Sequence, residues 1–436
     1  MKKITFLLAM MLVTFTACNN EDFEEISLES KREKISYEVT PEEAVSRLGM
    51  FLSNNGTRAS LNDVTIKTLM KSDFVPATRS SDAEDAPAIY LIDIPDGGCA
   101  VMGADKRLEP VYAIMDETKL SPEDLTTATA TRTESADEED IQTFVTGLIN
   151  NAVEADLMGV FPYPDSIFIR DPTRKEINWT DTVIVQQVPP LLDTKWCQTA
   201  PFNNNYRLCS GGERKKAGCG IIAAAQIMYY HKQPSVLSGT AFNWDLLRFY
   251  EVGYSNQPMA ATIEVANYIS KIAIAAGVNI NDYVVETGVD FSQITSLFNS
   301  TGYNNAMFTT YSFNTIKTML GQNLPVFISA YESNGGASHM WVIDGSYLYK
   351  IEHWVRESYY VGPGWDYNEY ISSTDYYNLF HCNYGFEGRC DGYYNSAVFN
   401  TNVELPDGYI DVGAGDTEGT PQGNFSSNLH IMSYQK

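Results

Sequence analysis

The sequence predicts an α+β protein: a small α+β unit, then a larger one in which a helical half faces an antiparallel β half. Three observations predict this. With 436 residues, the chain exceeds what one typical domain holds, so two folded units are expected. In its first part, "AIYLIDI", "CAVMG" and "PVYAIMD" are short β-type runs joined by turn residues, as in an antiparallel sheet. In its second part, helical patterns come first and strand-like runs later, the order of an α+β domain.

The chain opens with "MKKITFLLAMMLVTFTACNN", in which two lysines precede an apolar stretch and then small residues. Residues 1–18 read as a secretory signal, too short for a spanning helix. "FTAC" resembles a bacterial lipobox, in which Cys18 is acylated and becomes the first mature residue; cleavage and release is the alternative. Export to the cell surface, or secretion, is the expected localisation. A helix is expected from about 41, where "TPEE" offers Thr40 as N-cap, Pro41 at the first helical position and Glu43 three residues after the cap. The sheet of three runs follows. Residues 126–140, polar and acidic without periodicity, read as a loop, and "IQTFVTGLINNAVEADL" reads as a helix. "IRDPTRKEINWTDT", with Arg170, Arg174 and Lys175, reads as an interdomain linker open to cleavage. The chain thus divides into 1–18, 19–180 and 181–436. In the last part helices are expected over 219–231, 261–276 and near 314–320. "LPVFISA", "HMWVIDG", "YLYKIEHW" and "DGYYNSAVF" are expected as strands.

The formal net charge of −25, from 55 acidic and 30 basic residues, opposes a phosphate backbone and excludes nucleic acid as a natural partner. No Cys-x-x-Cys or His-x-x-x-His spacing exists, so neither a metal nor another cofactor is expected. Seven cysteines occur, at 18, 99, 197, 209, 219, 382 and 390. An exported chain permits disulfides, and closeness in sequence suggests Cys197 with Cys209 and Cys382 with Cys390, leaving Cys99 and Cys219.

Cys219 stands in "KKAGCGIIAAAQIMYYHKQP", between two glycines at the head of an apolar helix that Pro234 stops. Alone, such a cysteine reads more readily as a buried structural thiol or a disulfide partner than as a nucleophile. As a nucleophile it needs its thiolate, and lowering its pKa from about 8.5 to about 4 takes roughly 6 kcal/mol. A helix N-terminus supplies about 0.3–2 kcal/mol, so an imidazolium is required. His231 ends the same helix, about 18 Å away at 1.5 Å per residue. His353 and His430 read as strand positions, and His381 precedes "CNYGF". His339 enters the buried run "HMWVIDG" from a glycine-bearing loop and leads on context.

The order Cys219, His339, Asn383 is that of nucleophile, base and orienting amide in papain-like enzymes. "AGCGIIAAAQIMYYHKQP", "GGASHMWVIDG" and "HCNYGFEGRCDGYY" resemble the signature blocks of the streptopain-like cysteine peptidases, family C10. "LLDTKWCQTAPFN" resembles that family's first block, and "EEAVSRLGMFL" with "GGCAVMGADKRLEPVYAIMDE" is similar to its pro-domain. The resemblance implies a papain-like catalytic domain preceded by a small α+β pro-domain, made as a zymogen. It further implies Cys219 as nucleophile, His339 as base and then acid, Gln198 with the Cys219 N–H as oxyanion hole, and Asn383 beside His339. Protein or peptide substrates, and the chain's own pro-domain as inhibitor, are the implied partners, with the membrane reached only through a lipid on Cys18.

Two features depart from the family. Tyr384, Gly385 and Phe386 replace a Trp-Gly-Trp run, which alters the aromatic wall against the histidine. "VRESYYVGPGWDYNEYISSTD" is long for its place and is expected to reshape the cleft. The glycine-rich "GAGDTEGTPQG" resembles the family's mobile loop. Two alternatives to a cysteine endopeptidase remain: an acyltransferase using the same Cys-His chemistry on an amine, and a surface-binding lipoprotein with a degenerate site.

Overall fold

The computed structural model describes residues 37–54, 61, 63–74, 85–95, 97–126, 138–159, 175–251, 256–331, 338–361, 364–399 and 429–436. The signal with Cys18, most of the polar loop, the linker before Lys175 and the glycine-rich 413–423 lie outside them.

Helix α1 (Pro41–Asn54) begins as its cap dictates, the Glu43 N–H donating to Thr40 Oγ1 at 3.2 Å. Its apolar stripe of Ala44, Leu48, Phe51 and Leu52 is buried. There follow β1 (Thr65–Met70), α2 (Lys71–Phe74), β2 (Pro87–Asp93), β3 (Cys99–Gly103), β4 (Val111–Met115), α3 (Pro122–Thr126) and α4 (Glu138–Gly159). β5 (Lys175–Val188) leads into the second unit, which opens with α5 (Cys219–His231), β6 (Val236–Leu237), β7 (Thr240–Ala241), α6 (Trp244–Leu247), α7 (Met259–Ala275) and α8 (Phe291–Ser300). The sheet half comprises β8 (Asn304–Thr310), α9 (Phe313–Gly321), β9 (Val326–Tyr331), β10 (Ser338–Val361), β11 (Gly364–Asn383), β12 (Gly392–Asn395), α10 (Ser396–Phe399) and β13 (His430–Gln435).

Helices precede strands in the second unit, as the α+β expectation requires. One antiparallel sheet runs through the whole molecule in the order β1-β2-β3-β4-β12-β11-β10-β9-β13-β8, with β5 also on β10. The two units join where β4 pairs with β12, Ala113 opposite Tyr394 and Met115 opposite Gly392. Only glycine fits at 392: φ is 153°, and a Cβ would lie 2.3 Å from the Ile114 carbonyl oxygen. A core formed by α1, β2, β3 and β4 continues into Tyr347, Tyr349, Tyr377 and Tyr393 of the second unit, with the Phe51 ring 5.4 Å from Tyr347 and 5.2 Å from Tyr393.

Four readings change. Residues 175–188 form a strand, so the 180/181 division falls inside an element. β10 pairs with β9 through Ile343, and from Ser346 β5 occupies that same edge. "VRESYYVGPGWDYNEYISSTD" extends the β10–β11 hairpin away from His339 instead of walling the cleft, because strand pairing continues to Val361 opposite Gly364. "DGYYNSAVF" is a strand only to Asn395, whose Oδ1 then accepts the Ala397 N–H at 2.9 Å and starts α10. All six cysteines from Cys99 onward are free. The Cys197 sulfur lies 3.3 Å from Thr199 Oγ1 and 3.4 Å from Glu387 Oε1, and Cys382 is buried beside Trp341 and Tyr384, so neither expected pair forms.

Candidate active site

Cys219 is the first residue of α5. Gly218 ahead of it has φ 94°, and a Cβ there would sit 2.8 Å from the Thr287 carbonyl oxygen. The thiol therefore starts a helix in a turn that a side chain would block. Its sulfur meets the backbone N–H groups of Met340, Gly220 and Cys219 itself. The side chain is partly open to solvent, yet its dense surroundings decide its protonation: desolvation raises the pKa above the ordinary thiol value, outweighing those three N–H groups.

His339, the residue before Met340, is buried. Its Nε2 lies 3.1 Å from the Tyr384 carbonyl oxygen. A carbonyl only accepts, so Nε2 carries the proton and Nδ1 of the neutral ring is the free base. Aromatic rings surround it: Trp341 stacks at 6.0 Å and 7°, Tyr384 at 6.1 Å and 22°, and Phe386 at 5.3 Å. From α4, Phe144 sets its edge against His339 at 5.6 Å and against Trp341 at 5.7 Å. Desolvation pushes the His339 pKa down to about 4, against the opposing effect of the Tyr384 carbonyl.

Gln198 is buried, and its main-chain carbonyl accepts the Ala217 N–H at 2.9 Å, which ties it to the turn leading into Cys219. Asn383 ends β11 beside Tyr384, but its carboxamide serves other groups: Nδ2 donates to the Thr194 carbonyl at 2.6 Å, and Oδ1 accepts from Gly385 N–H at 3.1 Å and Gln226 Nε2 at 3.0 Å. Tyr384 and Phe386 do form an aromatic wall against the histidine.

The other histidines are engaged elsewhere. His381 Nδ1 pairs with Asp344 Oδ1 at 2.7 Å; burial alone would lower its pKa, but Asp344 first, then Asp116 and Asp391, raise it. His353 pairs with Asp375 at 2.9 Å on the hairpin, and His231 meets Tyr434 at the far end of α5. Sequence reasoning missed Trp341, Phe144 and Gln226. Trp341 had a signal, lying two residues beyond His339 on one strand face.

The fold is that of an α+β papain-like protease with a pro-domain. Residues 196–394 match the Peptidase C10 family. The structure is similar to that of a Prevotella intermedia prointerpain A fragment carrying a cysteine-to-alanine mutation, with a TM-score of 0.51 and 15% identity over 85% of this chain and 98% of that one. It is also similar to active wild-type P. intermedia interpain A cysteine protease, with a TM-score of 0.39 and 18% identity over 57% of this chain and 95% of that one. No curated protein matches the chain. The family match supports a cysteine peptidase, and the likeness to the prointerpain A fragment is one of fold.

Proposed function

We propose that the chain is the zymogen of an exported cysteine endopeptidase, with a pro-domain that ends before β5, a catalytic domain from β5 onward and a signal over 1–18 that presents Cys18 for acylation. The observation that carries this reading is the Cys219 thiol at the head of α5, against the Met340 N–H that follows His339, within the stretch matching the family.

The Cys219 proton passes to His339 Nδ1, and the thiolate attacks the scissile carbonyl. The Cys219 N–H and the Gln198 carboxamide hold the oxyanion, worth about 3–4 kcal/mol per donor. The imidazolium then protonates the leaving amine, and water hydrolyses the thioester. Asn383 acts on His339 through the Tyr384–Gly385 peptide, whose N–H its Oδ1 accepts and whose carbonyl meets His339 Nε2. In the state described, desolvation disfavours the charged form of both thiol and imidazole, and the Phe144 ring lies against His339.

Recombinant full-length protein is incubated and followed by intact mass, beside Cys219→Ala. The wild type shortens, cleaves peptides and takes a thiol-directed epoxide on Cys219; the variant folds but does neither reaction. Maturation of purified Cys219→Ala refutes the reading, and transfer of the acyl group to added amine in preference to water favours the transferase.

A further inference from the structure

His339 is oriented by the main-chain carbonyl of Tyr384, and that carbonyl is itself held by a closed ring of buried amides. Asn383 Nδ2 donates to the Thr194 carbonyl, Asn383 Oδ1 accepts from Gln226 Nε2, and Gln226 Oε1 accepts from Thr194 Oγ1 at 2.7 Å. The chemistry fixes both amide orientations. The Thr194 carbonyl can only accept, so Nδ2 faces it and Oδ1 faces the Gly385 N–H; Gln226 must then present Nε2 to Asn383 and Oε1 to the hydroxyl. The Gly385 N–H on Asn383 Oδ1 pins the turn around Tyr384, and the Tyr384 N–H donates to Asp391 Oδ1 at 2.8 Å. Gln226 is 0% exposed. It lies two turns along the helix that begins with Cys219, so one rigid element carries the thiol and braces the support of the base.

We propose that Gln226 is a positioning residue for the peptidase reaction, acting through Asn383 on the Tyr384 carbonyl that orients His339. The proposal rests on the cysteine-peptidase reading above. A base that remains present but is misaligned loses rate without losing substrate affinity.

The test compares wild type, Gln226→Met and Gln226→Glu after incubation to maturation, with kcat counted per Cys219 titrated by the epoxide. Gln226→Met, which keeps the volume but no amide, should lower kcat about ten- to a hundredfold with little change in KM. A protonated carboxyl at position 226 can still accept from Thr194 and donate to Asn383. Gln226→Glu should therefore recover kcat toward the acid end of the profile and lose it toward the alkaline end. A Gln226→Met kcat within about twofold of wild type overturns the proposal, as does a Gln226→Glu profile parallel to the wild-type one. If Gln226→Met does not fold, the Gln226→Glu profile decides alone. Wild type that neither cleaves peptide nor takes the label sinks the peptidase reading itself, and this proposal with it.

Discussion

His339 sits at the meeting point of two effects that pull its protonation in opposite directions. The Tyr384 carbonyl favours the charged ring, and the aromatic enclosure disfavours it more strongly, so the pKa falls to about 4. A histidine depressed in the fold contributes stability above its unfolded value near 6.5, and that stability is lost as pH falls from there to about 4. The full-length chain therefore weakens in acid through this group. Phe144 is the one ring of the enclosure supplied by α4. Its two edge contacts are worth roughly 0.5–1.5 kcal/mol each beyond the area they bury. Phe144→Ala should leave the fold intact and speed epoxide labelling of Cys219 in the full-length chain about tenfold, a factor equivalent to about 1.4 kcal/mol; labelling at the wild-type rate would show that Phe144 does not enforce latency. Cys219 and His339 could be singled out because glycines, a helix start and a buried strand mark them locally. Gln226 could not, because its meaning depends on Asn383, 157 positions away, and in sequence it is one polar residue in an apolar helix.

At the scale of elements, β5 is the segment whose sequence misleads most. Its polar residues lack the apolar alternation of a half-buried strand, because many of its side chains are exposed and it is held chiefly by main-chain pairing to β10 from Ser346–Val188 to Ser358–Lys175. Trp179 stacks on Trp354 at 6.0 Å and 8°, the Arg356 guanidinium lies over Trp179, and Gln186 Nε2 donates to the Lys317 carbonyl at 3.0 Å. A bond inside a paired strand cannot enter a protease cleft until the strand is peeled away. On the zymogen reading, mature enzyme should retain all of β5, with its N-terminus at or before Lys175, as intact mass would report. A terminus at Asp181, where the second unit begins in the sequence reading, would mean that β5 leaves its sheet before cutting. By contrast, α5 spans the residues its pattern predicted, because a Gly-Cys start, an apolar run and a terminating proline are all local. The omitted α8 was equally legible: Asp290 accepts the Gln293 N–H and Gln293 reaches back to the Asp290 N–H, a capping box.

Across the whole molecule, the junction of the two units is a sheet and a shared core, and nothing local in β4 or β12 announces that they pair. At that junction, Asn395 Nδ2 donates to Glu109 Oε2 at 2.9 Å. Burial, then the neighbouring Asp156, raises the Glu109 pKa to about 8, against the bond from Asn395. Asp156 is raised as well, chiefly by burial, while accepting from the Tyr112 hydroxyl at 2.6 Å. A carboxyl raised in the fold contributes its full stability below the unfolded value near 4.5 and loses it as pH rises through about 8. At about 1.4 kcal/mol per pK unit, the loss amounts to a few kcal/mol by pH 8. An amide at position 109 keeps an oxygen for Asn395 and adds a donor toward Asp156 without ever ionising. Glu109→Gln should therefore raise the Tm of the full-length Cys219→Ala chain at pH 8, by about 2–4 °C for each kcal/mol recovered, and leave it nearly unchanged below pH ~4.5. Melting both chains across that range tests the assignment, because a Tm difference independent of pH would mean that Glu109 does not titrate at this junction.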